Sequence, residues 1–127
     1  MKLFLLSILI VLNTQDAIIG KWISHDKDLI IDCYKKGDVY YSKIVWFKDT
    51  SPKTKKYSEN GIEKDKWIGY VVMEDFHFKE DHWEGYINDI KHGKKYLATI
   101  YKEKNNLELK VYYFFIPVKT IIFDKYK

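Results

Sequence analysis

An all-β fold, an eight-stranded antiparallel up-and-down barrel, is what this sequence predicts, and three observations carry the prediction. Aromatic residues make up 17% of the 127 residues, with 11 Tyr against only 2 Pro and 6 Gly. That composition favours strands and excludes disorder. After residue 18 apolar residues recur at period two instead of the helical period. Short polar turns, such as His25-Asp26-Lys27-Asp28, Lys35-Lys36-Gly37-Asp38 and Lys79-Glu80-Asp81, separate most of the runs. A chain of this length builds one core.

The chain opens on Met1-Lys2 and an apolar run from Leu3 to Leu12, then turns polar at Asn13-Thr14-Gln15-Asp16. The run is too short to span a bilayer and has the layout of a secretory signal peptide. Residues 1–17 are expected to be that signal, cleaved near Ala17, and residues 18–127 the exported domain. The expected compartment is periplasmic or secreted. The one thiol, Cys33, has no partner for an intramolecular disulfide, so the core must carry stability alone. Its alternation with Leu29 and Ile31 reads as a small buried hydrophobe.

Strands are expected over 20–24, 29–34, 39–47, 69–78, 83–89, 95–102, 107–115 and 120–126. The one long connection, 48–66, is polar and lacks apolar periodicity, so it is read as a surface loop. Eight meandering strands leave two open edges unless the sheet closes, which argues for a barrel. Alternation then places Leu29, Ile31, Cys33, Tyr40, Ser42, Ile44 and Trp46 inside. Trp83, Gly85, Ile87, Tyr96, Ala98, Ile100, Leu107, Leu109, Val111 and Tyr113 join them. Asp32, Lys43, Glu84, Asn88, Thr99, Glu108 and Lys110 fall on the opposite face.

Lysine and arginine total 22 against 18 acids, a net charge of +4, but the two signs are mixed along the chain. No nucleic-acid stripe is formed, and no transmembrane span is expected.

Gly20-Lys21-Trp22 resembles the Gly-x-Trp signature of lipocalins and other calycins. That resemblance implies a barrel whose base is closed by Trp22 under a basic side chain from the last strand, here Lys125. A longer resemblance is to the bacterial family named domain of unknown function 2147. It is carried by Gly20-Lys21-Trp22, Ile31-Asp32-Cys33-Tyr34, Lys43-Ile44-Val45-Trp46, Trp83-Glu84-Gly85-Tyr86-Ile87-Asn88-Asp89, Gly93-Lys94-Lys95-Tyr96 and Leu107-Glu108-Leu109-Lys110-Val111. Lys36 and Tyr41 stand where that family often has a Cys pair. Val118-Lys119-Thr120 and Phe123-Asp124-Lys125 replace its closing Gly-Arg-Thr and Trp-x-Arg. The resemblance implies an exported lipocalin-like barrel, with no activity to inherit.

The residues themselves point to binding instead of catalysis. No Gly-x-Ser-x-Gly, phosphate loop or dinucleotide fingerprint occurs. In the acid pairs Glu74-Asp75 and Glu80-Asp81, neighbouring residues of a strand point to opposite faces. A non-enzymatic role without cofactor is expected. His77, His82 and Asp75 flank one turn, but histidines beside a polar turn are usually solvated, and no metal is expected. Small Ser42, Gly85 and Ala98 among Tyr40, Trp46, Trp83, Tyr96 and Tyr113 suggest an aromatic-walled hole for a small apolar or aromatic ligand. Close packing of the large rings is the competing outcome. The alternative function is an envelope interaction module with a filled barrel. It would bind a protein partner or a second copy through an outer aromatic surface of Tyr86, Leu97, Tyr101, Tyr112 and Phe114.

Overall fold

The structure, a computed structural model, describes residues 14–49 and 63–127. Residues 1–13 of the expected leader and most of the 48–66 connection lie outside the described residues. Eight strands follow one another: β1 (Gly20–Ser24), β2 (Leu29–Lys36), β3 (Val39–Phe47), β4 (Val71–Lys79), β5 (His82–Asp89), β6 (Lys94–Glu103), β7 (Asn106–Tyr113) and β8 (Ile116–Lys125). Each pairs antiparallel with its sequence neighbour, and β1 pairs with β8, so the sheet closes into an up-and-down barrel. Closure removes the two edges that an open meander would expose.

Because the strands alternate in direction, the β1–β2, β3–β4, β5–β6 and β7–β8 connections share one end, here called the mouth. The other turns share the base. Period-two alternation sends Trp22, Ile31, Cys33, Tyr40, Met73, Trp83, Ala98, Ile100, Leu107, Leu109 and Phe123 into one buried cluster. Ile18, from the segment before β1, joins it. A short 3₁₀ turn, Thr14–Asp16, precedes that residue.

Two of the barrel's register shifts change the expected interior. In β3 the register passes from Ile31↔Ile44 to Ile30↔Trp46, leaving Val45 as an extra residue. A one-residue slip moves every later side chain to the other face. Trp46, expected inside, therefore shares the outer face with Ile30 and is 42% exposed. Phe47, opposite Leu29, takes the inward position. In β4 the register shifts between Glu74↔Tyr86 and His77↔Glu84, with Asp75 at φ 56°. This second bulge brings Phe76 inward over Gly85.

The last hairpin departs most from the expected boundaries. β7 stops at Tyr113, and β8 begins at Ile116, four residues before the expected start at 120. A two-residue turn, Phe114-Phe115, joins them with φ of 48° and 66°. On its other side β8 meets β1 only through Phe123, Asp124 and Lys125, and His25 N–H donates to the Ile122 carbonyl at 2.8 Å. Residues 116–121 thus pair with β7 alone, and the tip of this hairpin stands clear of the β1 side of the rim.

Candidate functional site

The base is sealed by side chains that meet the segment before β1. The Trp22 indole N–H donates to the Ile18 carbonyl at 2.9 Å, and the Trp83 indole N–H to the Gln15 carbonyl at 3.1 Å. Tyr40 O–H donates to Asp16 Oδ1 at 2.5 Å, and the Lys35 ammonium lies 3.1 Å from the same oxygen. The Tyr40 hydrogen bond, with Lys35 beside it, holds the Asp16 carboxyl below its usual range. Burial, aided by Asp16, pushes the Tyr40 phenol up. The Lys125 ammonium sits 4.7 Å from the Trp22 ring centroid. A Cβ on Gly20 would lie 2.6 Å from that ammonium, and Gly20 has φ of 124°. Glycine is therefore what lets the cation reach the ring.

Five residues were expected to form one wall, and the structure divides them. Tyr40 and Trp83 belong to the sealed base. Trp46 stands outside, turned there by the Val45 bulge. Tyr96 and Tyr113 line the mouth, with ring centroids 6.5 Å apart. Gly85 does not supply a hole: a Cβ there would meet the Phe76 ring at 2.6 Å. The space above the glycine is already filled by that ring, as close packing requires.

Exposure of inward side chains rises from base to mouth. Trp22, Tyr40, Phe76, Leu107 and Phe123 are buried, whereas Leu29, Ile87, Tyr96 and Ile121 are half-buried and Tyr113 is 54% exposed. The lower half is packed, and several inward apolar side chains at the rim stay partly solvated. Two buried polar groups lack a hydrogen-bond partner of ordinary strength, the Trp67 indole N–H near the mouth and the Ser42 hydroxyl in the packed floor, level with Cys33 and Gly20. Ser42 pairs across strands with Cys33, whose thiol is at best a weak partner. Trp67 packs on Phe47 with centroids 5.0 Å apart. Sequence reasoning missed both Phe47 and Trp67. A bulge hid the first, and the second ends a segment without periodicity.

Cys33 is buried, and loss of solvation pushes its thiol up to about 12, so it remains a protonated, inert group. Asp81 and Glu84 occupy both ring nitrogens of His82 at 2.9 and 2.8 Å, and Tyr101 stacks on the ring. These two carboxylates raise its pKa. Among the described residues no group of three potential ligands converges on a metal position. On the outer wall Tyr86, Leu97 and Tyr112 form a continuous cross-strand row. Lys95 lies 5.6 Å from the Tyr86 centroid and Lys110 5.8 Å from that of Tyr101, while Tyr112 O–H lies 3.3 Å from Thr99 Oγ1. The barrel's own lysines thus lie against two of these rings. Phe114, the last of the set, stands apart at the hairpin tip, 77% exposed.

Comparison with known proteins agrees with this geometry. A solved structure titled "Protein HP1028 from the human pathogen Helicobacter pylori belongs to the lipocalin family" superposes with a TM-score of 0.67 at 17% identity. The match covers 87% of this chain and 83% of that one, and it establishes a shared lipocalin-type fold. No curated protein matches. The family described as "Uncharacterized protein conserved in bacteria (DUF2147)" matches residues 20–125, the whole barrel from the glycine beside Trp22 to the lysine over it. The chain therefore belongs to the bacterial family of domain of unknown function 2147.

Proposed function

We propose that this protein is an exported carrier or sensor that holds one small apolar or aromatic molecule in the mouth half of its barrel. The base-to-mouth gradient supports the reading: inward apolar side chains at one end are left half-solvated above a packed floor. The buried Trp67 indole N–H, near the mouth and without a hydrogen-bond partner, adds a chemical preference. A ligand with an apolar body and one hydrogen-bond acceptor would satisfy a group that burial otherwise penalises.

Burying about 200 Å² of apolar ligand surface supplies roughly 5 kcal/mol before association costs, so affinity in the micromolar range is expected. The test is titration with a panel of fluorescent apolar probes, some bearing an acceptor. Wild type should bind at least one. Tyr96→Ala should weaken that binding about tenfold, whereas Tyr40→Phe, at the sealed base, should not. A panel without any binder, or equal binding by Tyr96→Ala, would overturn the carrier reading.

Export rests on the N-terminal run. The contacts of Gln15, Asp16 and Ile18 with the barrel favour processing before Thr14 over processing near Ala17, since the latter would remove the partners of Trp83 and Tyr40. Intact mass of protein recovered from the envelope or medium should give a start at or before Thr14. A start at Ile18 would refute that placement, and a full-length product would refute export.

A further inference from the structure

We propose that the β7–β8 hairpin is a docking element that seats the β5–β8 side of the barrel mouth on an anionic phospholipid surface. Its tip is the most exposed apolar feature among the described residues: Phe115 is 86% exposed, Phe114 77%, Ile116 64% and Val118 59%. Tyr113 continues the patch, with its ring 4.5 Å from that of Phe114. Residues 116–121 pair with β7 alone, so this apolar tip is not shielded by a neighbouring strand on the β1 side.

Backbone conformation argues that these side chains are not there to make the turn. Both central residues have positive φ, the signature of a type I′ hairpin, a turn that selects Asn-Gly. Two phenylalanines in the left-handed region are strained, and their rings gain nothing from burial. A sequence under selection for folding alone would replace them. Strain and exposure at one position are explained if the rings are buried elsewhere, in a partner.

Charge identifies that partner. Lys91, Lys94 and Lys95 stand in the β5–β6 hairpin at the same end, and Lys119 stands on β8 beside the tip, all four exposed. On this β5–β8 side of the mouth Asp89 is the one acid within residues 89–95 and 112–120, whereas the β1–β2 and β3–β4 connections across the rim carry Asp26, Asp28, Asp49, Glu63 and Asp65. Glu74, on β4, pairs with Lys95 and leaves the other three lysines as the surplus. Aromatic side chains projecting beside lysines on the β5–β8 side of the rim match the headgroup region of a bilayer with negative lipids. There the rings enter the acyl boundary and the ammonium groups meet phosphate. Such docking would bring the partly solvated apolar rim against a reservoir of apolar molecules. It goes beyond the carrier reading and stands if that reading fails.

Co-sedimentation of the protein with vesicles of mixed phosphatidylcholine and phosphatidylglycerol, and with pure phosphatidylcholine, tests the proposal. Wild type should partition onto the mixed vesicles, and less as salt is raised. The pair Phe115→Asn and Ile116→Thr should lower that partition about tenfold. Asparagine suits the left-handed turn, so the fold is kept, as circular dichroism would verify. Lys91→Glu with Lys119→Glu should lower binding to the mixed vesicles and leave the weak binding to pure phosphatidylcholine unchanged. Binding of an apolar probe without vesicles should be the same in the Phe115 variant as in wild type, which separates this proposal from the carrier reading. No partition by wild type, or equal partition by the tip variant, would overturn docking. A concentration-dependent dimer, without vesicle binding and abolished in the tip variant, would assign the tip to a second copy of the chain and equally overturn it.

Discussion

Trp22→Ala should lower stability by about 3 to 5 kcal/mol, the range for deleting a large aromatic side chain from a core. Three separate contributions meet at this ring. It is 1% exposed at the base of the barrel, its N–H satisfies the Ile18 carbonyl, and the Lys125 ammonium lies against its face. Lys125→Met isolates the cation, whose removal should cost about 0.5 to 2 kcal/mol. Trp22→Phe should fall between, keeping most of the packing while leaving the carbonyl of Ile18 without its donor. Urea denaturation read by circular dichroism measures all three. A loss below about 1 kcal/mol for Trp22→Ala would show that the ring does not join the ends of the barrel.

The second large effect belongs to the pair formed by Gly85 and Phe76. Gly85→Ala places a Cβ 2.6 Å from two carbons of the Phe76 ring and 2.8 Å from the backbone carbonyl of Glu74. Ring and strand must both move, and overpacking of this kind costs about 1 to 3 kcal/mol, occasionally more. Phe76→Ala, which leaves the glycine uncovered, should cost about 3 to 5 kcal/mol. Because the two residues occupy one volume, the effects should not add. Gly85→Ala combined with Phe76→Leu should be less destabilised than the sum of the single variants. Additive losses, or a Gly85→Ala change within about 0.5 kcal/mol, would mean that the ring does not fill this space.

Eight strands, their order and most of the inward face were legible because period-two alternation is a direct consequence of the pleat. What could not be read were the places where backbone geometry departs from that period. Tyr40, Ser42, Ile44 and Trp46 alternate without fault as letters. Yet one extra residue at Val45 sends Trp46 outside, and nothing in its side chain announces a bulge. The bulge at Asp75 concealed in the same way that Phe76 would cover Gly85. The last turn was missed for the opposite reason. Phe114-Phe115 has none of the residues that turns usually demand, so the apolar stretch read as strand. The base was under-read because Gln15 and Asp16 were assigned to the leader on composition, while their contacts with Trp83 and Tyr40 are purely tertiary.

The joint between β1 and β8 sets the order of events in folding. It consists of three residue pairs, Trp22↔Lys125, Ile23↔Asp124 and Ser24↔Phe123, whereas β2 meets β3 and β7 meets β8 over eight pairs each. Apart from β3 and β4, which the long connection separates, the other neighbouring pairs are local hairpins, but this joint unites residues about a hundred positions apart, whose encounter carries the largest loop entropy in the chain. The hairpins can zip in sequence and present a curved, open sheet before the ring is complete. Closure is then the slow, high-contact-order step. In the native protein the same joint is the most economical place to open. Amide hydrogens of Ile23, His25 and Asp124, which face across the joint, should exchange by a partial opening of lower free energy than global unfolding, while those in the middle of β6 and β7 exchange only with the whole barrel.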